Sequence, residues 1–85
     1  MTYIYRLCLG DGQEHLKSYE VDIEEVTEFL QHIKWIRIND NLIVSTNHIV
    51  SIECIATSNN GISMLLKEDE YTIKQLNKHL KSIIK

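Results

Sequence analysis

Few residues in this chain combine into a pattern that does chemistry. His15, His32, His48 and His79 are the imidazoles, and Cys8 and Cys54 are the thiols. Zinc needs four converging ligands, or three and a water. No HxxxH, HExxH or CxxC spacing brings these six residues together. His48 and Cys54 are close in sequence. However, alternation puts Cys54 on an apolar strand face with Val50, Ile52 and Ala56, where burial disfavours a thiolate. There is no GxSxG elbow, no phosphate-binding loop and no dinucleotide fingerprint. The expectation is a protein with no catalytic residues, no cofactor and no metal.

Binding chemistry has more candidates. Lys74, Lys78, Lys81 and Lys85 recur at three- and four-residue spacing, so they line one side of a helix. Such a helix can meet a phosphate backbone, an anionic lipid or an acidic groove. It can equally be a solvated face whose lysines complement the helix dipole. Tyr3 and Tyr5, with Tyr19 on a neighbouring strand and Arg6 and Lys17 nearby, outline a base-stacking platform. Acids crowd the same region and would repel phosphates, so half-buried sheet tyrosines are expected instead. Trp35, the only Trp, is either a core anchor or a contact residue at an interface.

These residues sit in a chain of 85, which allows one small domain spanning residues 1–85. Apolar residues make up 44% and charged residues 25%, too apolar for a disordered chain. The net charge of −3 hides an asymmetry. Residues 1–33 carry Arg6 and Lys17 against seven acids, residues 34–66 balance, and residues 67–85 carry five lysines against three acids. An acidic front and a basic last helix suit oriented or self-complementary contacts better than nucleic-acid binding. A membrane-spanning helix needs about 20 mostly apolar residues, and the apolar runs here are far shorter. Residues 1–10 lack the basic-then-apolar order of a secretory leader, so the expected location is cytoplasmic. Two cysteines are too few for a disulfide framework; they are expected as buried free thiols.

The elements follow from period and turn chemistry. Residues 3–9 alternate as a strand, Asp11-Gly12 marks a hairpin turn, and residues 14–21 return. Asp22 is the expected cap of a helix over residues 23–33, with Glu25 completing a capping box and Val21 and Val26 at the staple positions. Residues 35–39 and 42–45 form a hairpin around Asn39-Asp40-Asn41. Residues 46–48 make a tight corner. Residues 49–56 and 62–67 form a further hairpin around Asn60-Gly61. Thr72 is the expected cap of the last helix, with Gln75 as its box partner, Tyr71 and Leu76 as the staple, and Ile73, Leu76, Leu80, Ile83 and Ile84 as the apolar stripe. The segment Leu42-Ile43-Val44-Ser45, its corner and the strand to Ile55 resemble the closing strands of small SH3-like barrels, including Sm-like RNA-binding proteins. That likeness covers 14 residues, and no function is carried over from it.

The fold class expected is α+β. An antiparallel sheet of five or six strands carries both helices on one face, in the order ββαββββα. Hairpin-then-helix at both ends suggests a ββα pseudo-repeat. Strands 35–56 hold few charges, and sheet edges must be covered, charged or paired. A homodimer or higher homo-oligomer is therefore expected. The leading function is a small non-catalytic protein-interaction or regulatory module that self-associates. One alternative is a nucleic-acid-binding protein using the basic helix through Lys74, Lys78, Lys81 and Lys85. A second is a small-ligand binder or enzyme with its site between subunits.

Overall fold

The computed structural model describes residues 1–60 and 62–83. Six strands and two helices follow one another along the chain. They are β1 (Thr2–Leu9), β2 (Glu14–Tyr19), α1 (Ile23–Gln31), β3 (Trp35–Asn39), β4 (Leu42–Ser45), a one-turn 3-10 corner (Thr46–His48), β5 (Ile49–Asn59), β6 (Ile62–Leu65) and α2 (Glu70–Ile83). The strands do not form one sheet of five or six. Four make an antiparallel sheet in the order β2-β1-β5-β6, and β3 and β4 pair only with each other. The physical break is the corner. It turns the chain from β4, which faces β3, into β5, which lies beside β1. Residues 42–55 run as strand, corner and strand, but β4 and β5 belong to different sheets.

Local chemistry accounts for the elements. The Asp22 carboxylate accepts the Glu25 N–H at 3.0 Å and caps α1, with Glu24 and Glu25 in the first turn where the helix dipole favours anions. The helix ends at Gln31, two residues short of Ile33, with His32 as its C-cap. Gly12 turns the first hairpin at φ 90°, a conformation that side-chain-bearing residues rarely adopt. The second hairpin turns through Asn60 at φ 53°, as Asn tolerates. Its expected partner Gly61 lies outside the described residues, as do Ile84 and Lys85.

The last helix starts earlier than its apparent signal. Asp69, not Thr72, is the cap: its carboxylate accepts the Thr72 N–H at 2.7 Å, and its carbonyl accepts the Ile73 N–H. A carboxylate caps at least as well as a threonine hydroxyl. Moving the cap three residues back places Thr72 and Gln75 inside the helix. They are freed to meet the sheet.

Two β-bulges in β5 decide which side chains face where. Ile4 pairs with Ala56 but Tyr5 pairs with Cys54, so Ile55 is the extra residue. Cys8 pairs with Ser51 but Leu9 with Ile49, so Val50 is extra, and it stands 67% exposed. Simple alternation put Val50, Ile52, Cys54 and Ala56 on one face. The bulges instead leave Cys54 beside Tyr5, place Ala56 beside Ile4 on the opposite face, and push Val50 outward.

The helices lie on opposite faces, not on one. Tyr5 points to α1: its hydroxyl donates to the Val21 carbonyl at 2.6 Å, and it lies close to Asp22 and Glu25. Ile4 and Arg6 point the other way. Ile4 packs with Ile55, Ala56 and Leu76 of α2, joined by half-buried Leu16, Leu65 and Leu80. Arg6 reaches Thr72 and Gln75. A twofold axis relating β1-β2 to β5-β6 would stand perpendicular to the sheet, because β1 and β5 are antiparallel. Such an axis leaves faces unchanged and would put both helices on the same side. The two ββα units are therefore not related by rotation, and the pseudo-repeat is a repeat of element types only.

Tyr5 carries a testable consequence. It is fully buried, and burial together with the nearby Cys54, Asp22, Tyr3 and Glu25 pushes its pKa up to about 12. A raised folded-state pKa supplies stability that is complete below pH about 10 and lost as pH rises through about 12. In an alkaline ultraviolet titration, Tyr5 is expected to ionise last of the four tyrosines and with global unfolding, and Tyr5→Phe to remove that late step. A single midpoint near pH 10 for all four would contradict it.

Candidate functional site

The expected site residues disperse over three surfaces. Trp35 is 63% exposed, so it is not a core anchor. It pairs across β3–β4 with Ser45, and the next position on that face joins Arg37 to the half-exposed Ile43. The inner face of the same hairpin supplies buried Ile36. Tyr3 stacks on Tyr5 with centroids 6.3 Å apart, and Tyr19 leans on Tyr5 at 6.0 Å. With Tyr5 fully buried and α1 above it, these rings are sheet packing rather than a platform for bases.

The thiols do not meet. Cys8 lies on the Arg6 face and Cys54 on the Tyr5 face, and both are free. Burial raises the Cys54 pKa, the opposite of what a nucleophile needs. Its thiol points to the Ala56 carbonyl at 3.5 Å, while His48 is exposed on the 3-10 corner. Among the described residues, no three His, Cys, Asp or Glu side chains gather as a metal site.

The strongest polar constellation joins α2 to the sheet. Arg6 is 5% exposed and has three partners: Glu53 at 2.6 Å, Thr72 Oγ1 at 3.0 Å and Gln75 Oε1 at 3.3 Å. Its guanidinium also lies 5.9 Å from the Tyr71 ring centroid. Glu53 is shared with Lys67 at 3.6 Å, and Arg6 holds the Glu53 carboxyl below its usual range. Tyr71 in turn donates to Glu14 at 2.6 Å. The second Glu14 oxygen accepts from Cys8 Sγ at 3.7 Å. Every carboxylate oxygen in this chain of contacts faces a donor. No buried side-chain nitrogen or oxygen among the described residues lacks a partner.

Beside this network lies a cleft of about 830 Å³ between α2, β2 and β3. Lys74 and Lys78 line it from the helix, and His79 follows at the next position. His15 and Leu16 line it from β2, Ile38 and Asn39 from β3. Two of the four lysines expected as a stripe thus border a cavity, whereas Lys81 is exposed outside it. Lys74 also pairs with Glu70 one turn back, at 3.3 Å. Sequence spacing found the helical lysines but missed His15, Ile38 and Asn39. Only the β1–β2 register, which carries Glu14 and Leu16 on the α2 face, could have placed β2 beneath the helix. His79 is half-buried, hydrogen-bonded to Ser18 Oγ at 3.0 Å, and its pKa is lowered first by burial and then by Lys17.

The third surface is the free edge at β6. Ile62 is 76% exposed and Met64 64%, and Leu66, just past the strand, is also exposed. β6 closes one end of the four-stranded sheet and, among the described residues, pairs with β5 alone. From Cys54 to Leu66 there is no charged residue and no proline.

The chain matches no family model, no curated protein and no solved structure. No described helix is long and apolar enough to cross a membrane.

Proposed function

We propose that this protein is a small non-catalytic interaction module that self-associates through β6. The observation that carries this is the unprotected edge. Sheet edges in stable monomers are blunted by short length, charge, proline, bulges or a covering element, and β6, at four residues, has only the first. β6 has no charge, no proline and no bulge in its pairing with β5, and it presents Ile62 and Met64 to solvent. An antiparallel β6–β6 pair about a twofold axis satisfies the outer backbone groups and covers these side chains. The contact is self-complementary and closes at two copies.

The fold also disfavours the other self-contact that the charges suggest. Acidic α1 of one copy could face basic α2 of another. Because the helices occupy opposite faces, that contact is head-to-tail and would propagate into stacks rather than close.

In sedimentation equilibrium at about 50 µM, a mass twice that of the 9.9 kDa chain is expected. Met64→Lys places like charges near the twofold axis and is expected to weaken the dimer at least tenfold, with α2 and the core intact by circular dichroism. A single-chain mass for the native protein would reject self-association. A dimer that Met64→Lys leaves unchanged would reject β6 as its seam.

A further inference from the structure

We propose that the cleft between α2, β2 and β3 binds a small organic anion. Its volume, about 830 Å³, lies in the range of small-molecule sites. Its lining has the division of labour such a site needs. Leu16 and Ile38, both half-buried, form an apolar floor on β2 and β3. Lys74 and Lys78 stand one helical turn apart on the wall above. Two lysines thus border one cavity in a chain whose net charge is −3.

The one acid in the lining is already engaged. Glu14 accepts the Tyr71 hydroxyl at 2.6 Å and faces the Cys8 thiol with its other oxygen. The Lys74–Glu70 pair is exposed on both sides, 75% and 84%, the weak kind of ion pair that a ligand can displace. Gln75 gives its amide oxygen to Arg6, leaving its NH2 as the group it offers a ligand. The Arg6 network holds Gln75 and Tyr71 in place, so part of the wall is set before a ligand arrives. The apolar floor calls for a ligand with an apolar body, and the lysines call for a carboxylate or phosphate on it.

Benzoate and phenyl phosphate are suitable probes, with neutral benzamide as the control. Titration followed by the His79 ring signals and the backbone amide signals of α2 in NMR is expected to saturate for an anion, with a Kd of about 1 mM or tighter. The stronger of the two anions identifies the headgroup. Replacing both cleft lysines (Lys74→Gln with Lys78→Gln) is expected to weaken binding about tenfold, and Lys81→Gln to leave it unchanged. Failure of both anions to give saturable shifts would overturn the proposal. So would equal shifts with benzamide, or equal weakening by Lys81→Gln, which would mark a diffuse charge effect. Because β6 lies at the far edge of the sheet, Met64→Lys tests self-association separately from this site.

Discussion

Glu53→Ala is expected to destabilise the fold by about 2–3 kcal/mol, whereas Arg6→Met is expected to change it far less. The asymmetry follows from burial. The Arg6 side chain is 6% exposed and the Glu53 side chain 47%. Removing Glu53 leaves a guanidinium inside the protein with only neutral acceptors, Thr72 and Gln75. Removing a fully buried partner typically costs about 3–5 kcal/mol, and the half-exposed position of Glu53 lowers that figure. Methionine at position 6 removes the charge and fills much of the same volume. Glu53 then returns to solvent and to Lys67. A chain of 85 residues has roughly 4–13 kcal/mol of total stability, so urea unfolding resolves the two variants easily. Equal losses for both would mean that the contribution of Arg6 is its shape and not its pairing.

The second large effect is expected at the seam between α2 and the sheet. Leu76→Ala should cost about 2–4 kcal/mol, because Leu76 is 4% exposed and belongs to the Ile4–Ile55–Ala56 cluster. Among the described residues, the other apolar groups packed on that cluster, Leu16, Leu65 and Leu80, are only partly buried. The loss should therefore be uneven. Amide hydrogen exchange is expected to rise most in α2 and least in β1 and β5, the two central strands. Uniform exchange across the molecule would show that helix and sheet unfold as one unit. If Leu76→Ala and Arg6→Met are combined, their effects should exceed additivity, since both anchor the same helix turn.

Much of the local architecture was legible beforehand. Asp22 with Glu25 reads as a helix start, and the structure makes that hydrogen bond. The strand bounds of β3 and β4 and the corner at Thr46–His48 agree with the turn chemistry. These features depend on neighbours a few residues away. The cap of α2 differs from the one local chemistry suggests, for the same local reason. Asp69 and Thr72 are both cap-forming types three residues apart, and propensity alone does not choose between them. Tertiary contact explains why the later residue was not needed as a cap, because Thr72 is an acceptor for Arg6, 66 residues away.

The candidate site was legible only in part. Helical spacing found Lys74 and Lys78 but not the strands opposite them. Trp35 was located correctly at the start of β3, yet its exposure depends on which face of a two-stranded sheet turns outward. Lys85 lies beyond the described residues.

The residues by themselves determined an α+β chain of short strands, tight turns and two helices, and an acidic front followed by a basic end. Only the tertiary structure decided the division into sheets of four and two strands, the opposite faces of the helices and the cleft under α2. The physical reason is concrete. Period-2 alternation says that two faces exist but not which element covers each, and one extra residue at a bulge exchanges them. Ile55 is that residue. It is one apolar side chain among many in the sequence, and in the fold it turns Ala56 toward Leu76 and away from the face of Cys54.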